Sequence, residues 1–258
     1  MILTADYHTH TVFSHGKGTI LENALSAKEK GLKEIGISDH GFAHPVFGLS
    51  KRKLDKMRIE CDSATNETGV KVLLGIESNI TGIDGKVDLK AKYYDYFDIF
   101  LAGLHKFVTF DIKTFFALSI PDITATYLKK KEVSKSLKDR NTKTFINVVK
   151  NNPVDAITHL NFFSFADAKE VAKVCADYGT YLELNAKKTH LLDSEIEEIL
   201  KTDVRFIINS DAHDTDRVGE ISLVEKTIER LNIPLDRIDN IEGRTPNFRF
   251  KKFKEEIK

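Results

Sequence analysis

The sequence predicts an α/β protein built on a parallel sheet that closes, or nearly closes, into a barrel. Two observations carry this. Short apolar runs alternate with helix-like segments along the whole chain, and strands covered by helices on both faces read as such runs. The length, 258 residues, suits one barrel of about 250. An open doubly wound sheet is the alternative arrangement of the same units.

The elements follow in order. "ILTADYH" (2–8) is the first strand, and Thr19 with Glu22 forms a capping box for a helix ending near Lys30. "LKEIGISDH" (32–40) is the second strand, followed by a helix within 50–68. "VKVLLGIES" (70–78) is the third and leads into a Gly-punctuated hairpin, "NITGIDGKVD". "YFDIFLAGLH" (96–105) is the fourth, and "VDAITHL" (154–160), after a helix near 141–151, is the fifth. Val171, Val174, Cys175 and Tyr178 share one face of the next helix. "TYLELNA" (180–186) is the sixth strand, Ser194 and Glu197 cap another helix, and "VRFIINSDAH" (204–213) is the seventh strand. Ile221, Val224, Ile228 and Leu231 mark a last amphipathic helix. One domain is expected over 1–245, with an insertion at about 106–140 and a basic C-terminal tail at 246–258.

Lys plus Arg equals Asp plus Glu, at 39 each, so no global charge draws the chain to nucleic acid or an acidic membrane. Cys61 and Cys175 are far apart, read as helix-face residues, and fit a reducing cytosol. The opening "MILTADY" lacks a basic-then-apolar leader pattern, and no apolar run is long enough to span a bilayer. A cytoplasmic protein is expected.

The polar residues at the strand ends carry the functional signal. His8 and His10 end strand one, His15 lies in the loop after it, and His40 ends strand two. Glu77, His105 and His159 sit near the ends of strands three, four and five, and Asp211 and His213 follow strand seven. All fall on the C-terminal rim, where parallel barrels place active sites. Residues i and i+2 share a strand face, so His8 pairs with His10, and Asp211 with His213. One His-x-His is ordinarily a surface or core feature. Seven of nine histidines sorted to one rim is a metal site. The ligand supply exceeds the four that one zinc takes and suits two or three ions. Imidazole ligands leave the ions' positive charge in place, which favours an anionic substrate such as a phosphate.

The ordered set "DYHTHTVFSHG", "GISDHG", "GIESNI", "AGLH", "ITHL" and "INSDAH" resembles the PHP (polymerase and histidinol phosphatase) family over roughly residues 3–245. Within that family the chain looks most like the small stand-alone bacterial phosphoesterases. The resemblance implies a distorted, TIM-barrel-like (β/α)7 barrel and a trinuclear metal centre. One ion would take His8, His10, Glu77 and Asp211, and a second His15, His40 and His213. A third would share Glu77 and take His105 and His159. The ions expected are zinc first, with manganese or iron as alternatives. Two departures stand beside the third position. Family members often read His-Pro-Gly-Asn where this chain has "HLNF" (159–162), and the 105–159 segment is long.

The expected reaction is phosphomonoester hydrolysis by a metal-bound hydroxide, with Asp211, His213 and Glu77 as the catalytic group and a small phosphorylated substrate. Asn185, Arg217 and His44 are candidate substrate contacts; solvent exposure is the ordinary expectation for His44 and His190. Asp6 is placed either behind a ligand histidine or on nearby backbone, and Asp39 in a structural role. The run at 129–143 holds seven Lys/Arg and two acids, and Phe107, Phe110, Phe115 and Phe116 form an aromatic patch. Together they keep a 3′-5′ exonuclease or 3′-phosphatase on nucleic acid as the alternative. An amidohydrolase-type C–N hydrolase and a non-catalytic metal-binding module are further alternatives. No membrane partner is expected.

Overall fold

The computed structural model describes residues 1–106, 108–110, 112–128 and 133–257. Among these, seven parallel strands form one sheet in chain order: β1 (Ala5–Thr9), β2 (Glu34–Ile37), β3 (Lys71–Asn79), β4 (Ile99–Gly103), β5 (Ala156–Ile157), β6 (Tyr181–Asn185) and β7 (Phe206–Asn209). The sheet curls until β7 meets β1. The seam lacks a regular ladder and is closed by a Thr9–Ala212 bridge and by the Tyr7 N–H donating to Asn209 Oδ1 at 2.9 Å. This is the nearly closed barrel that the alternation predicts.

Ala5, Tyr7, Ile99, Leu101, Ala156, Tyr181 and Ile207 fill the barrel's lower interior. A larger apolar layer, including Ile35, Leu74, Phe100 and Phe145, lies between the sheet and the outer helices. On β1 the register shifts between Asp6 and Thr9. That irregularity breaks simple alternation, so Tyr7 joins the interior floor while His8, the next residue, still reaches the rim cluster. Gly36 is required here, since a Cβ would lie 2.7 Å from the Tyr7 carbonyl oxygen.

The outer layer contains α1 (Ile20–Glu29), α2 (Lys51–Thr68), α5 (Lys135–Asn151), α6 (Ala168–Tyr178), α7 (Asp193–Ile199) and α8 (Ser222–Leu231). The Thr19–Glu22 capping box is present as expected. Four local expectations are corrected. The α7 start is not capped by Ser194; Glu195 reaches back to the Leu192 N–H at 2.8 Å, a bond that a shift of two residues conceals. α5 begins at Lys135, because Ser134 caps it by accepting from Leu137, so the segment expected as insertion includes its polar first turns. β5 is two residues long, since His159, with φ 28°, turns out of strand conformation. α8 is not the last helix: α9 (Arg249–Glu256) lies in the segment expected as a basic tail and buries Phe250 fully.

Among the described residues, the long β4–α5 connection is largely helical. α3 (Ile112–Thr114), a π-helical turn (Phe115–Ser119) and α4 (Ile120–Tyr127) run consecutively. Phe115 and Phe116 are exposed, whereas Phe110 packs against the core. Phe107 and residues 129–132 of the basic run lie outside the described residues. Among the described residues no helix is long and apolar enough to cross a membrane, and both cysteines are buried free thiols.

Candidate metal centre

The interior face of each strand continues upward from the apolar floor into the polar rim. On β3, Glu77 lies four residues beyond Leu73; on β7, Asn209 and Asp211 follow Ile207 at spacing two. At the end of β4, Gly103 is the step below His105. A Cβ there would come within 2.8 Å of the His159 ring and 3.2 Å of the His105 ring, so glycine leaves space for two imidazoles to converge.

They converge on Glu77. Its Oε1 lies 2.7 Å from His159 Nε2, 3.0 Å from His105 Nε2 and 3.4 Å from His8 Nε2. Its Oε2 lies 2.9 Å from His40 Nδ1, yet neither of those two atoms makes a hydrogen bond among the described residues. The His8 and His10 Nε2 atoms approach to 3.1 Å, and Asp211 Oδ1 is 3.5 Å from His10 Nε2. Four overlapping groups have ligand atoms close enough to share an ion: His8–His10–Asp211, His10–His40–His213, His8–Glu77–His159 and His40–Glu77–His105. His15 belongs to none of them, but its ring stacks on His40 at 4.7 Å and lies 4.1 Å from His213. All nine residues expected as ligands therefore meet at one rim.

Electrostatics favour the metal-binding forms of Glu77, Asp211, His10 and His15. Burial would raise the Glu77 carboxyl, but the neighbouring His105, His8 and His40 hold it well below the usual range. Burial also opposes ionisation of Asp211, and the His10 contact with the charges of His8, His10 and Lys187 outweighs it. His10 is pushed far down, chiefly by burial, and His15 falls to about 3 through burial and His213. Neutral imidazoles and ionised carboxylates are the forms that coordinate metal. His8 is the exception: burial disfavours its charge, but Glu77 and Glu183 raise it well above the ordinary value.

Glu183 is the functional residue that strand reading missed. Its Oε1 lies 2.7 Å from His8 Nδ1 and accepts from Asn209 Nδ2; its Oε2 accepts from the His159 N–H at 2.8 Å and from Asn185 Nδ2. A carboxylate behind a ligand histidine fixes which ring nitrogen faces the ion. One signal was available: Glu183 is two residues from Asn185 on the same strand face, an acid inside an apolar run. Among the described residues Asp6 has no ring contact of this kind. It accepts from the backbone of His8, Ser210 and Gly219, the backbone role weighed above. Asp39 accepts from the Thr11 N–H and hydroxyl and from Ser14, which orders the loop carrying His15.

A cavity of about 290 Å³ opens over the cluster, lined by His15, His40, Glu77, His105, His159 and the Asp211–His213 pair, with Phe162, Lys187, Lys188 and His190 on its remaining sides. His190 is thus not a solvent-facing loop residue: the turn after β6 folds it inward, and its ring lies 4.6 Å from Phe162. Asn185 turns that chain by accepting from the Lys187 and Lys188 N–H groups and also braces Asp211. His44 and Arg217 do not line this cavity. His44 Nδ1 accepts from the Val46 and Phe47 N–H groups, and Arg217 lies on an outer 3-10 turn beside Glu220.

Comparison with known proteins agrees with this fold. A probable phosphatase of Caldanaerobacter subterraneus subsp. tengcongensis is 31% identical over 252 residues, 92% of this chain and 87% of the relative. A probable phosphatase of Vibrio parahaemolyticus is 30% identical over 253 residues, 92% and 88% of the two chains. The solved histidinol phosphate phosphatase of Lactococcus lactis subsp. lactis, complexed with zinc, L-histidinol and phosphate, superposes with a TM-score of 0.64 at 16% identity, covering 96% of this chain and 100% of that one. The PHP domain pattern itself matches residues 6–187, and the chain belongs to the PHP domain family.

Proposed function

We propose that this protein is a metal-dependent phosphatase acting on small phosphomonoesters. The observation that carries the reading is the convergence on Glu77 of His8, His40, His105 and His159 beneath a cavity sized for a small ester. The donor set fits divalent metal: four overlapping histidine–carboxylate groups bring their ligand atoms together, and His40 Nδ1 and Glu77 Oε2 face each other buried and without hydrogen bonds among the described residues, a cost that a ligand between them would remove. The two relatives above, both named probable phosphatases, and the zinc and phosphate of the Lactococcus complex support the same reading.

Three ions would be held as the resemblance implies, with Glu77 shared between two of them. Bound divalent ions supply Lewis acidity toward the phosphate oxygens and an activated water. The chain's own groups do the rest. Asp211, anchored by Asn185, orients the attacking water, with His213 beside it. Lys187, whose Nζ lies 3.3 Å from Asp211 Oδ1, and Lys188 bring positive charge for the phosphate. Water adds to phosphorus, the ester P–O bond breaks, and the alcohol leaves with a proton, giving free phosphate.

The test is metal content per purified chain, measured with phosphate release from a panel of phosphomonoesters and with shortening of a single-stranded oligonucleotide. Two to three ions and phosphate from small esters are expected. Oligonucleotide shortening without phosphate release would replace this reading with the nuclease.

A further inference from the structure

We infer that Phe162 and His190 form a recognition wall for a flat ring on the alcohol side of the ester, so that the preferred substrates are phosphomonoesters of alcohols that carry a flat, aromatic ring. This deepens the phosphatase reading and rests on it.

The cavity has two chemically different sides. Lys187 and the Asp211–His213 pair form a charged side, suited to the phosphate. Phe162 and His190, with His159 beneath them, form the other. Phe162 is the one carbon-rich side chain lining the cavity among the described residues. Its ring lies 5.1 Å from His159 and 4.6 Å from His190. The His190 ring lies 6.1 Å from that of His159, so the three rings line one side of the cavity together.

The wall is held in place from behind. Phe162 packs on Phe163 with ring centres 3.8 Å apart, and Lys106 Nζ sits 3.6 Å over the Phe163 ring. The backbone is ordered too. The Phe162 N–H donates to the His159 carbonyl at 2.9 Å. Asn161, with φ 68°, donates to the Ala166 carbonyl and to Glu195, and its Oδ1 accepts from the Ala166 N–H. A non-glycine residue held in the left-handed region by its own side-chain bonds is a built turn. A side chain fixed before binding loses little entropy when a ring stacks on it. This turn is "HLNF", the place where the sequence departs from the pattern of its family.

The experiment compares benzyl phosphate, cyclohexylmethyl phosphate and glycerol phosphate, whose leaving alcohols are similarly weak acids. Benzyl phosphate is expected to show kcat/KM about tenfold above both others, mostly through KM, the scale of one stacking contact. In Phe162→Ala the benzyl-to-cyclohexylmethyl ratio falls toward one, while Phe162→Tyr retains it. Phe162→Leu, which keeps apolar volume and is less exposed to misfolding, also loses it. Competitive inhibition by benzylphosphonate against methylphosphonate reads the same preference without turnover. Equal values for benzyl and cyclohexylmethyl phosphate in the unaltered protein, or a ratio indifferent to Phe162→Leu, would overturn the inference and leave the phosphatase standing. Absence of phosphate release from every ester would overturn both.

Discussion

The two ends of the barrel differ in how completely their buried polar groups are paired. At the floor they are paired inside the protein. Asp155 accepts from the Phe100 and Phe250 N–H groups at 2.8 Å each, Tyr7 donates to Glu34 and Tyr181 to Asp239, and Asn240 joins Ala5 to Ile208 across the seam. At the rim, four imidazole nitrogens and one Glu77 oxygen are buried without hydrogen bonds among the described residues. Both ends belong to the same strands, so the difference does not come from the fold class. Floor polar groups close the barrel, while at the rim His40 Nδ1 and Glu77 Oε2 face each other at 2.9 Å with no hydrogen bond among the described residues, a pair that an ion between them would satisfy.

The largest expected effect tests that distinction directly. Glu77→Gln removes the carboxylate on which four histidines converge. Metal content should fall together with activity, the latter by about a thousandfold or more, since bound ions contribute several kcal/mol to charge stabilisation. Metal analysis and turnover on the same preparation check it; near-normal values would remove Glu77 from the bridging position.

Glu183→Gln should be milder, because it leaves every ligand in place and alters only the group behind His8 and His159. Metal affinity should weaken by about 10- to 100-fold, measured by competition with a chromophoric chelator. A cobalt-substituted protein should show a changed visible spectrum. An unchanged spectrum and affinity would reduce Glu183 to packing.

Asp155→Ala probes the other end. Two buried N–H groups lose their acceptor, costing about 1–3 kcal/mol each, so the midpoint of denaturant unfolding should drop while the metal stoichiometry of the folded protein stays intact. Parallel loss of metal would mean that floor and rim are not separable.

The smallest effect concerns Asp122, a buried orphan away from the ligands. Its Oδ1 accepts from Asn141, its Oδ2 has no partner among the described residues, and burial raises its carboxyl to about 7. The folded state therefore binds more protons than the unfolded state between about pH 4 and pH 7, and this contribution to stability is lost as pH rises through that window. Asp122→Asn should flatten the dependence and raise Tm by a few degrees at pH 8 while changing little at pH 4. An identical pH profile in the two proteins would show that Asp122 is ionised when folded.

Much of the rim was legible because its signals are local. His8 with His10, and Asp211 with His213, stand at strand spacing, and of the other expected ligands all but His15 end an apolar run. Glu183 was not legible in the same way. Its meaning depends on His8, which is 175 residues away, lying 2.7 Å from it across the barrel. His190 was misplaced because nothing near it in sequence reveals that Asn185 folds the following turn inward. The α5 start was hidden because its first turns are polar and lack apolar periodicity.

By itself, then, the sequence determined the α/β alternation, the parallel order of strands and the sorting of ligands to one end, because side-chain periodicity and capping act over a few residues. Only the tertiary structure decided the β1 irregularity that admits both Tyr7 and His8 to the interior, the carboxylate behind His8, and the aromatic wall on the cavity. These depend on which groups meet after the barrel closes, and closure brings together residues that no local pattern connects.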